Sequence, residues 1–226
     1  MTEPKVLCCR PTRAAAESDT TTRAALAACG TSPVEFVGPR PGKAIDPLLT
    51  GRIVVIGDDL DLAGVVLRLL RTDRLGGVIV GYATGSVTTV TTLWSLPTGA
   101  AALQLALTGD PDLIPLVRDD VGGVLIGSGS VSPVRGTVYV DEKKVLAGHA
   151  AGILIEPNDE KGLLATVVHR RILGFGKRST SWPGRVVQIG TTPAEVVSDG
   201  RRHDRQTDRW TFYKHTEPLR LVRGAM

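Results

Sequence analysis

The sequence predicts an α/β fold in two parts, an N-terminal parallel α/β domain over residues 1–110 and a C-terminal antiparallel β-sandwich domain over 111–218. In the first part, short apolar runs alternate with segments whose apolar residues recur at helical spacing, which is typical of a parallel sheet with crossover helices. In the second part, short runs with period-two alternation, such as TVYVD at 137–141, are separated by turn residues. That pattern indicates antiparallel strands in a sandwich or an open barrel.

Each N-terminal element is marked by its pattern and by the residues that end it. Strands are predicted over 5–9, 33–38, 52–57 and 76–82, where short segments rich in apolar residues lie close to glycine or proline. Helices are predicted where alanine, leucine and valine repeat every three or four residues, over 12–29, 62–75, 86–95 and 99–109.

Composition excludes several classes of protein. The 226 residues are 42% hydrophobic and 22% charged, as expected for globular domains with cores. A net charge of +4 with 4% aromatic residues does not suit a dedicated nucleic-acid binder. No apolar run reaches the roughly 18 residues of a membrane helix. Three cysteines and an N-terminus without a signal-peptide pattern favour a cytoplasmic protein.

The segment VVIGDDLDLAGVV, at 54–66, is unusual because a strand breaks at Gly57 and three aspartates precede the helix. A strand-to-helix turn normally offers its free N–H groups to an anion. Here Asp58, Asp59 and Asp61 are predicted to cap those N–H groups themselves and to favour the helix dipole. The alternative is a divalent-metal site on the same three carboxylates, which would neutralise Asp58.

The order of these signals resembles the diacylglycerol kinase and sphingosine kinase catalytic-domain family of the NAD kinase-like superfamily. The family's Gly-Gly-Asp-Gly-Thr corresponds to residues 57–61 here, its Gly-Thr-Gly-Asn-Asp to 83–87, and its Asp-Gly-Glu to 199–201. The resemblance implies an N-terminal domain of the nucleotide-binding type, ATP bound between the two domains, and a C-terminal strand within 219–226 that returns to the first domain.

The three motifs depart from the family pattern. Asp58 and Leu60 replace glycines, Val87 replaces an aspartate, and Arg201 reverses the charge of a glutamate. A side chain at a phosphate-loop glycine blocks the close approach of backbone to phosphate. Two negative charges about 4 Å apart repel by roughly 4 kcal/mol at an effective dielectric constant near 20. The sequence therefore predicts a degenerate lipid-kinase-like protein that acts as a non-catalytic binding or regulatory module.

The residues at the nucleotide-binding position are then Gly57, Asp58, Asp59, Asp61, Thr84, Gly85 and Ser86. The alternative is a divergent ATP-dependent lipid kinase of the diacylglycerol type, with Mg²⁺ and ATP as cofactors. In that alternative Asp199 is the general base that accepts a hydroxyl proton.

A second candidate surface lies in 169–185, where aromatic and apolar residues are interleaved with cations and no acid occurs. Its basic residues are Arg170, Arg171, Lys177, Arg178 and Arg185. The segment is predicted to be a solvated basic loop; the alternative is peripheral docking to an anionic membrane. The sequence does not identify the ligand or protein partner. No nucleic acid is expected, and exposed edge strands in the β-rich domain are compatible with a homodimer.

Overall fold

The computed structural model describes residues 3–170 and 177–224. Internal contacts divide the chain into two compact units. The first unit is Met1–Ile114 with Glu217–Met226, and the second unit is Pro115–Thr216.

The helices all lie in the first unit: α1 (Arg13–Ser18), α2 (Thr20–Ala28), a 3₁₀ helix (Lys43–Leu48), α3 (Asp59–Arg71), α4 (Thr89–Leu93) and α5 (Gly99–Thr108), within the described residues. The strands are, in chain order, β1 (Lys5–Cys8), β2 (Val34–Phe36), β3 (Arg52–Ile56), β4 (Ile79–Ala83), β5 (Pro111–Ile114), β6 (Val117–Asp119), β7 (Val124–Leu125), β8 (Gly129–Ser132), β9 (Val134–Val140), β10 (Lys143–Ala150), β11 (Gly152–Asn158), β12 (Gly162–Arg170), β13 (Lys177–Gly184), β14 (Val186–Ser198), β15 (Arg201–Arg202), β16 (Thr207–Lys214) and β17 (Leu219–Val222).

The first unit is built on a sheet with the strand order β2-β1-β3-β4-β17-β5. The strands β2, β1, β3, β4 and β17 all run parallel to one another, and only the pairing of β5 with β17 is antiparallel among the described strands of this sheet. The C-terminal strand thus lies in the first sheet. Residues 111–114, which the sequence pattern placed in the β-rich domain, form β5 of this sheet because they pair with 219–222.

The parallel strands are mostly apolar because helices cover the sheet. On one side, Val54 and Ile56 of β3 pack with Leu26 of α2 and Leu103 of α5 in a buried cluster. The residues of α3 that recur at helical spacing, among them Leu62, Val65, Val66 and Leu69, are also buried. Because β1, β3 and β4 run parallel, their carboxyl ends lie at the same edge of the sheet. Arg10, Gly57 and Gly85 come shortly after these three ends.

The predicted helical stretch 12–29 is interrupted. Thr12 caps α1 by accepting from the Ala15 amide at 3.2 Å, and α1 ends at Asp19. The Asp19 side chain then caps α2 by accepting from the Thr21 amide at 2.8 Å. Because Thr12 and Asp19 are only seven positions apart, α1 is limited to the six residues Arg13–Ser18.

The second unit is an antiparallel β-sandwich. Eleven strands are found in its described residues, with the order β13-β12-β11-β8-β14-β16-β6-β7 and with β9, β10 and β15 joined through β14. The long strand β14 pairs with β9 and β16 through its first half and with β8 through its last residues. The register shifts between Gly190 and Ala194, where the strand passes from one layer to the other.

The core of the sandwich consists of inward-facing residues of both layers, including Val138, Val187, Phe212, Ile155 and Val167. The predicted fold class, a parallel α/β domain followed by an antiparallel β-sandwich, is confirmed. Among the described residues, no helix combines the length and the apolar character needed to cross a membrane.

Candidate functional site

The turn between β3 and α3 carries the motif that the sequence singled out. The Gly57 amide donates to the Ala83 carbonyl of β4 at 3.2 Å, which fixes the turn to the sheet. Asp58 is the N-cap of α3 and accepts from the Asp61 amide at 2.9 Å. A second hydrogen bond links the same two residues in the opposite direction, since Asp61 Oδ2 accepts from the Asp58 amide at 3.0 Å. This reciprocal capping box places a carboxylate of the chain where the N–H groups of α3 are available to an anion.

Asp61 is the centre of this arrangement, with only 1% of its surface exposed. Its carboxylate also accepts from the Arg40 amide at 2.7 Å and from Arg10 Nη1 at 2.8 Å. Burial raises the pKa of the Asp61 carboxyl, and the Arg40 and Asp58 amides and the Arg10 guanidinium oppose that rise. The buried group is therefore satisfied by the protein itself, as buried carboxylates must be.

Arg10 neutralises the carboxylates of this edge. Its guanidinium forms ion pairs with Asp61 and with Asp19, and it lies 3.9 Å from Asp58 Oδ2. Burial would raise the pKa of the Asp19 carboxyl, but the Thr21 amide and the Arg10 guanidinium together lower it. Arg10, in the loop after β1, thus provides the positive charge that a metal ion would supply.

Asp59 points to different partners. It accepts from the Tyr82 hydroxyl at 2.9 Å and from the Val90 amide at 3.2 Å. Burial and the nearby Asp59 raise the pKa of Tyr82, so its hydroxyl remains a donor. The three aspartates therefore do not converge, and within 3–170 and 177–224 no three His, Cys, Asp or Glu side chains form a metal-binding group. The metal interpretation gains no support from this geometry.

The two glycines at the predicted nucleotide-binding position are required by internal contacts. A Cβ atom at Gly57 would lie 2.5 Å from Asp61 Oδ2. A Cβ atom at Gly85 would overlap the Thr20 carbonyl oxygen, and the Gly85 amide donates to the Thr21 carbonyl at 2.5 Å. Both positions exclude side chains without any phosphate being present.

The rest of the second motif position is also engaged internally. Thr84 is fully buried, and its carbonyl accepts from the Gly99 amide at 2.7 Å. Ser86 is half-buried, with its amide 3.4 Å from Thr84 Oγ1, and Val87, at the aspartate position of the family motif, is 80% exposed. The following helix α4 begins with its own capping box between Thr88 and Thr91.

Asp199 lies in the second unit, at the turn between β14 and β15. Asp199 and Gly200 have φ angles of 48° and 84°, and they separate the paired residues Ser198 and Arg201. An Asp-Gly pair in left-handed conformation is the usual two-residue hairpin turn. The Asp199 carboxylate is buried and accepts from the amides of Ile126, Gly127 and Ser128 at 3.0, 2.7 and 3.1 Å. The side chain thus holds the 126–128 loop.

The predicted basic surface is only partly described. Arg178 and Arg185 are exposed and lie near opposite ends of β13. Arg170 and Lys177 are paired backbone positions of β12 and β13, and Arg171 lies outside the described residues. Arg178 and Arg185 therefore do not form one compact basic cluster.

Sequence reasoning missed three residues of the first site, namely Arg10, Arg40 and Tyr82. One signal was available, because Arg10 follows β1 and the carboxyl ends of parallel strands share one edge of a sheet. The cysteines before it lie in the segment predicted as a buried strand over 5–9, and Cys8 and Cys9 are both fully buried. Burial raises the pKa of the Cys8 thiol to about 11, so the thiol is neutral at physiological pH.

No family model matches the chain, and no curated protein matches it. Solved structures do match over almost its whole length. A diacylglycerol kinase from Bacillus anthracis str. Sterne is 12% identical with a TM-score of 0.64, covering 98% of this chain and 97% of that one. An NAD kinase from Archaeoglobus fulgidus in complex with ATP is 13% identical with a TM-score of 0.61, covering 98% and 93%.

A yeast NADH kinase complexed with NADH is 10% identical with a TM-score of 0.53, covering 99% of this chain and 84% of that one. Identities this low establish a shared fold. The resemblance to the diacylglycerol kinase and NAD kinase-like superfamily, predicted from the order of motifs, is confirmed as a resemblance of fold.

Proposed function

We propose that this kinase-fold protein is a non-catalytic binding or regulatory module that does not hold ATP at the β3–α3 turn. The observation that carries the proposal is the position of Asp61. Its buried carboxylate takes the Asp58 and Arg40 amides and the Arg10 guanidinium, which are the donors a phosphate would need at this turn.

The cost of opening this turn supports the same conclusion. A bound phosphate would have to displace Asp61 from its donors and lie beside the half-exposed Asp58. Removing one partner of a buried charge pair typically costs about 3–5 kcal/mol. Repulsion from a carboxylate about 4 Å away adds roughly 4 kcal/mol at an effective dielectric constant near 20. The affinity of a triphosphate for this turn must overcome both.

The surroundings of Asp199 argue against its use as a general base. A general base needs a free lone pair directed at the hydroxyl that it deprotonates. Both oxygens of Asp199 accept from backbone amides of 126–128. We therefore assign Asp199 to the architecture of the second unit.

The experiment is a phosphoryl-transfer assay with γ-labelled Mg-ATP and diacylglycerol in mixed micelles or NAD as acceptor. We expect no transfer above that of heat-inactivated protein. In parallel, the variant Asp58→Gly/Leu60→Gly/Asp61→Thr restores the family's motif and should bind Mg-ATP more tightly than the wild type.

Transfer by the wild type would overturn the proposal. If that transfer is lost in Asp199→Asn but kept in the exposed control Asp204→Asn, the alternative of a divergent lipid kinase is supported instead. Melting temperatures of both variants distinguish lost chemistry from lost folding.

A further inference from the structure

The outer face of one layer of the sandwich presents an ordered polar surface. Alternation along the strands turns Val138, Val187 and Phe212 into the core and leaves Tyr139 and Gln188 on the outside. The register places Thr211 of β16, Gln188 of β14 and Tyr139 of β9 in one row, and Lys144 of β10 continues it. The row spans four strands, which is about 14 Å at the usual strand spacing.

Two depressions on this face share Gln188 and Thr211 and so form one continuous groove, which we call the anion groove. Their volumes are about 630 and 300 Å³. The lining combines the hydroxyl and amide groups of Thr137, Tyr139, Gln188, Thr211 and Tyr213 with the apolar residues Val186 and Ile189. The polar groups offer hydrogen bonds to a ligand.

The cations of the groove lack acidic partners. Arg185 and Lys214 line the larger depression and Arg209 lines the smaller one. At the flanks, Arg118 lies 5.7 Å from the Tyr213 ring and Lys144 lies 5.9 Å from the Tyr139 ring. Within the described residues, none of these five cations forms a salt bridge.

Two details strengthen the imbalance of charge. The buried Nε of Arg118 has no hydrogen-bond partner among the described residues, although buried donors normally have one. The acid that lines the groove, Asp141, already accepts from the Arg185 and Val186 amides through Oδ1. The surface therefore presents guanidinium and ammonium groups whose counter-charge is not in the described chain.

The net charge of the two units also differs, and the excess of positive charge lies in the unit that carries the groove. The first unit contains 12 Lys and Arg against 12 Asp and Glu, whereas the second contains 15 against 11. The whole net charge of +4 therefore belongs to the unit that carries the groove.

We propose that the anion groove binds a small, soluble, phosphate-bearing molecule. Arginine guanidinium groups match phosphate oxygens in geometry, and hydroxyl and amide groups satisfy the remaining acceptors. The volume is that of a small-molecule site. A cation lies 5.7 Å from the Tyr213 ring and another lies 5.9 Å from the Tyr139 ring, and these contacts compete with base stacking and disfavour single-stranded nucleic acid.

This inference names a ligand class for the proposed binding function and rests on residues of the second unit alone. Its failure and the failure of the proposal on the β3–α3 turn are distinguishable, because the probe here is inorganic pyrophosphate without Mg²⁺ or ATP. The full-length protein is titrated by calorimetry at constant ionic strength. We expect saturable binding.

The test variant is Arg185→Gln/Lys214→Gln, which removes both charges but keeps the first methylenes of each stem; the Lys214 stem packs over Gly162. We expect its affinity for pyrophosphate to fall at least tenfold. The matched control Arg205→Gln removes an exposed cation of the same unit outside the groove and should change the affinity less than twofold. A second variant, Gln188→Glu, places a negative charge on the exposed floor and should also weaken binding at least tenfold.

Three results would overturn the proposal. The first is the absence of saturable pyrophosphate binding by the wild type. The second is an equal loss in Arg205→Gln and in the groove variants, which would indicate general attraction to a basic surface. The third is tight binding to vesicles containing phosphatidic acid that pyrophosphate does not compete away, which would assign the face to a membrane. If the double variant does not fold, the affinity of Gln188→Glu for pyrophosphate tests the proposal by itself, and an unchanged affinity would overturn it.

Discussion

The β3–α3 turn and the anion groove differ in whether their charged side chains have partners within the described chain. At the turn, each carboxylate accepts from a donor of the chain or pairs with Arg10. The Arg10 guanidinium lies within 4 Å of the carboxylates of Asp19, Asp58 and Asp61. In the groove, five cations have no acidic partner within the described residues. The comparison teaches that carboxylates at a strand-to-helix turn can be satisfied within the chain while cations on another face of the same protein are not. Binding potential is then better judged from unpaired charge than from the position of a motif.

The largest expected effect is the loss of Asp61. Asp61→Ala would leave the Arg10 guanidinium and two backbone amides without their acceptor in a buried place. We expect the free energy of unfolding to fall by about 3–5 kcal/mol, as for one partner of a buried ion pair. Urea denaturation followed by circular dichroism measures it. Asp58→Ala is the matched variant and should cost about 1 kcal/mol, since Asp58 is a half-exposed N-cap. Equal losses would contradict the central role of Asp61.

A smaller effect is expected at Gly57. In Gly57→Ala the new methyl group would lie 2.5 Å from Asp61 Oδ2 and push the carboxylate out of the capping box. Overpacking of this kind costs about 1–3 kcal/mol. The control is Gly42→Ala, because no heavy atom lies within 4 Å of a Cβ there and its φ is −98°. That substitution should stay within about 0.5 kcal/mol of the wild type in the same denaturation experiment.

The ion pair between Arg10 and Asp19 gives the turn a pH dependence. The pKa of Asp19 is lowered in the folded protein, so its contribution is present above the unfolded-state pKa near 3.9 and is lost as the pH falls through the folded value. We expect the wild type to lose stability below about pH 4 more steeply than Asp19→Asn. Thermal melts between pH 7 and pH 3 compare the two slopes, with the exposed Asp204→Asn as control. Parallel slopes for wild type and Asp19→Asn would show that the pair contributes nothing.

The smallest expected effect on stability is in the groove. Because Arg185 and Lys214 are exposed and make no ion pair in the described chain, Arg185→Gln/Lys214→Gln should change the free energy of unfolding by less than about 0.5 kcal/mol. The same variant should lose most of its affinity for pyrophosphate. A large loss of stability would mean that these cations serve the fold, and the contrast with the turn would disappear.

Much of the fold was predictable because its signals are local. The apolar run of β3, the break at Gly57 and the acidic helix start all lie within 52–61, and a capping box forms between residues three positions apart. Period-two alternation likewise predicted the antiparallel half. The assignment of 111–114 was not predictable, because β5 joins the first sheet through a partner more than 100 residues away.

The contents of both candidate sites were less predictable. Asp61 and Arg10 are 51 residues apart, and Asp199 reaches amides 71 to 73 residues before it. The anion groove combines residues between 137 and 214 that lie on three strands and on the turns beside them, and they form no motif along the chain.

The sequence by itself determined the two-part architecture, the strand-to-helix turn at Gly57 and the self-capping of α3, since these depend on periodicity and on neighbours within one helical turn. Only the tertiary structure decided that Arg10 and Arg40 complete the shell of Asp61, that Asp199 holds a loop, and that unpaired cations gather on one face of the sandwich. The physical reason is that the partners of a charge are set by distance in space, and in a sheet protein residues remote along the chain become neighbours through strand register.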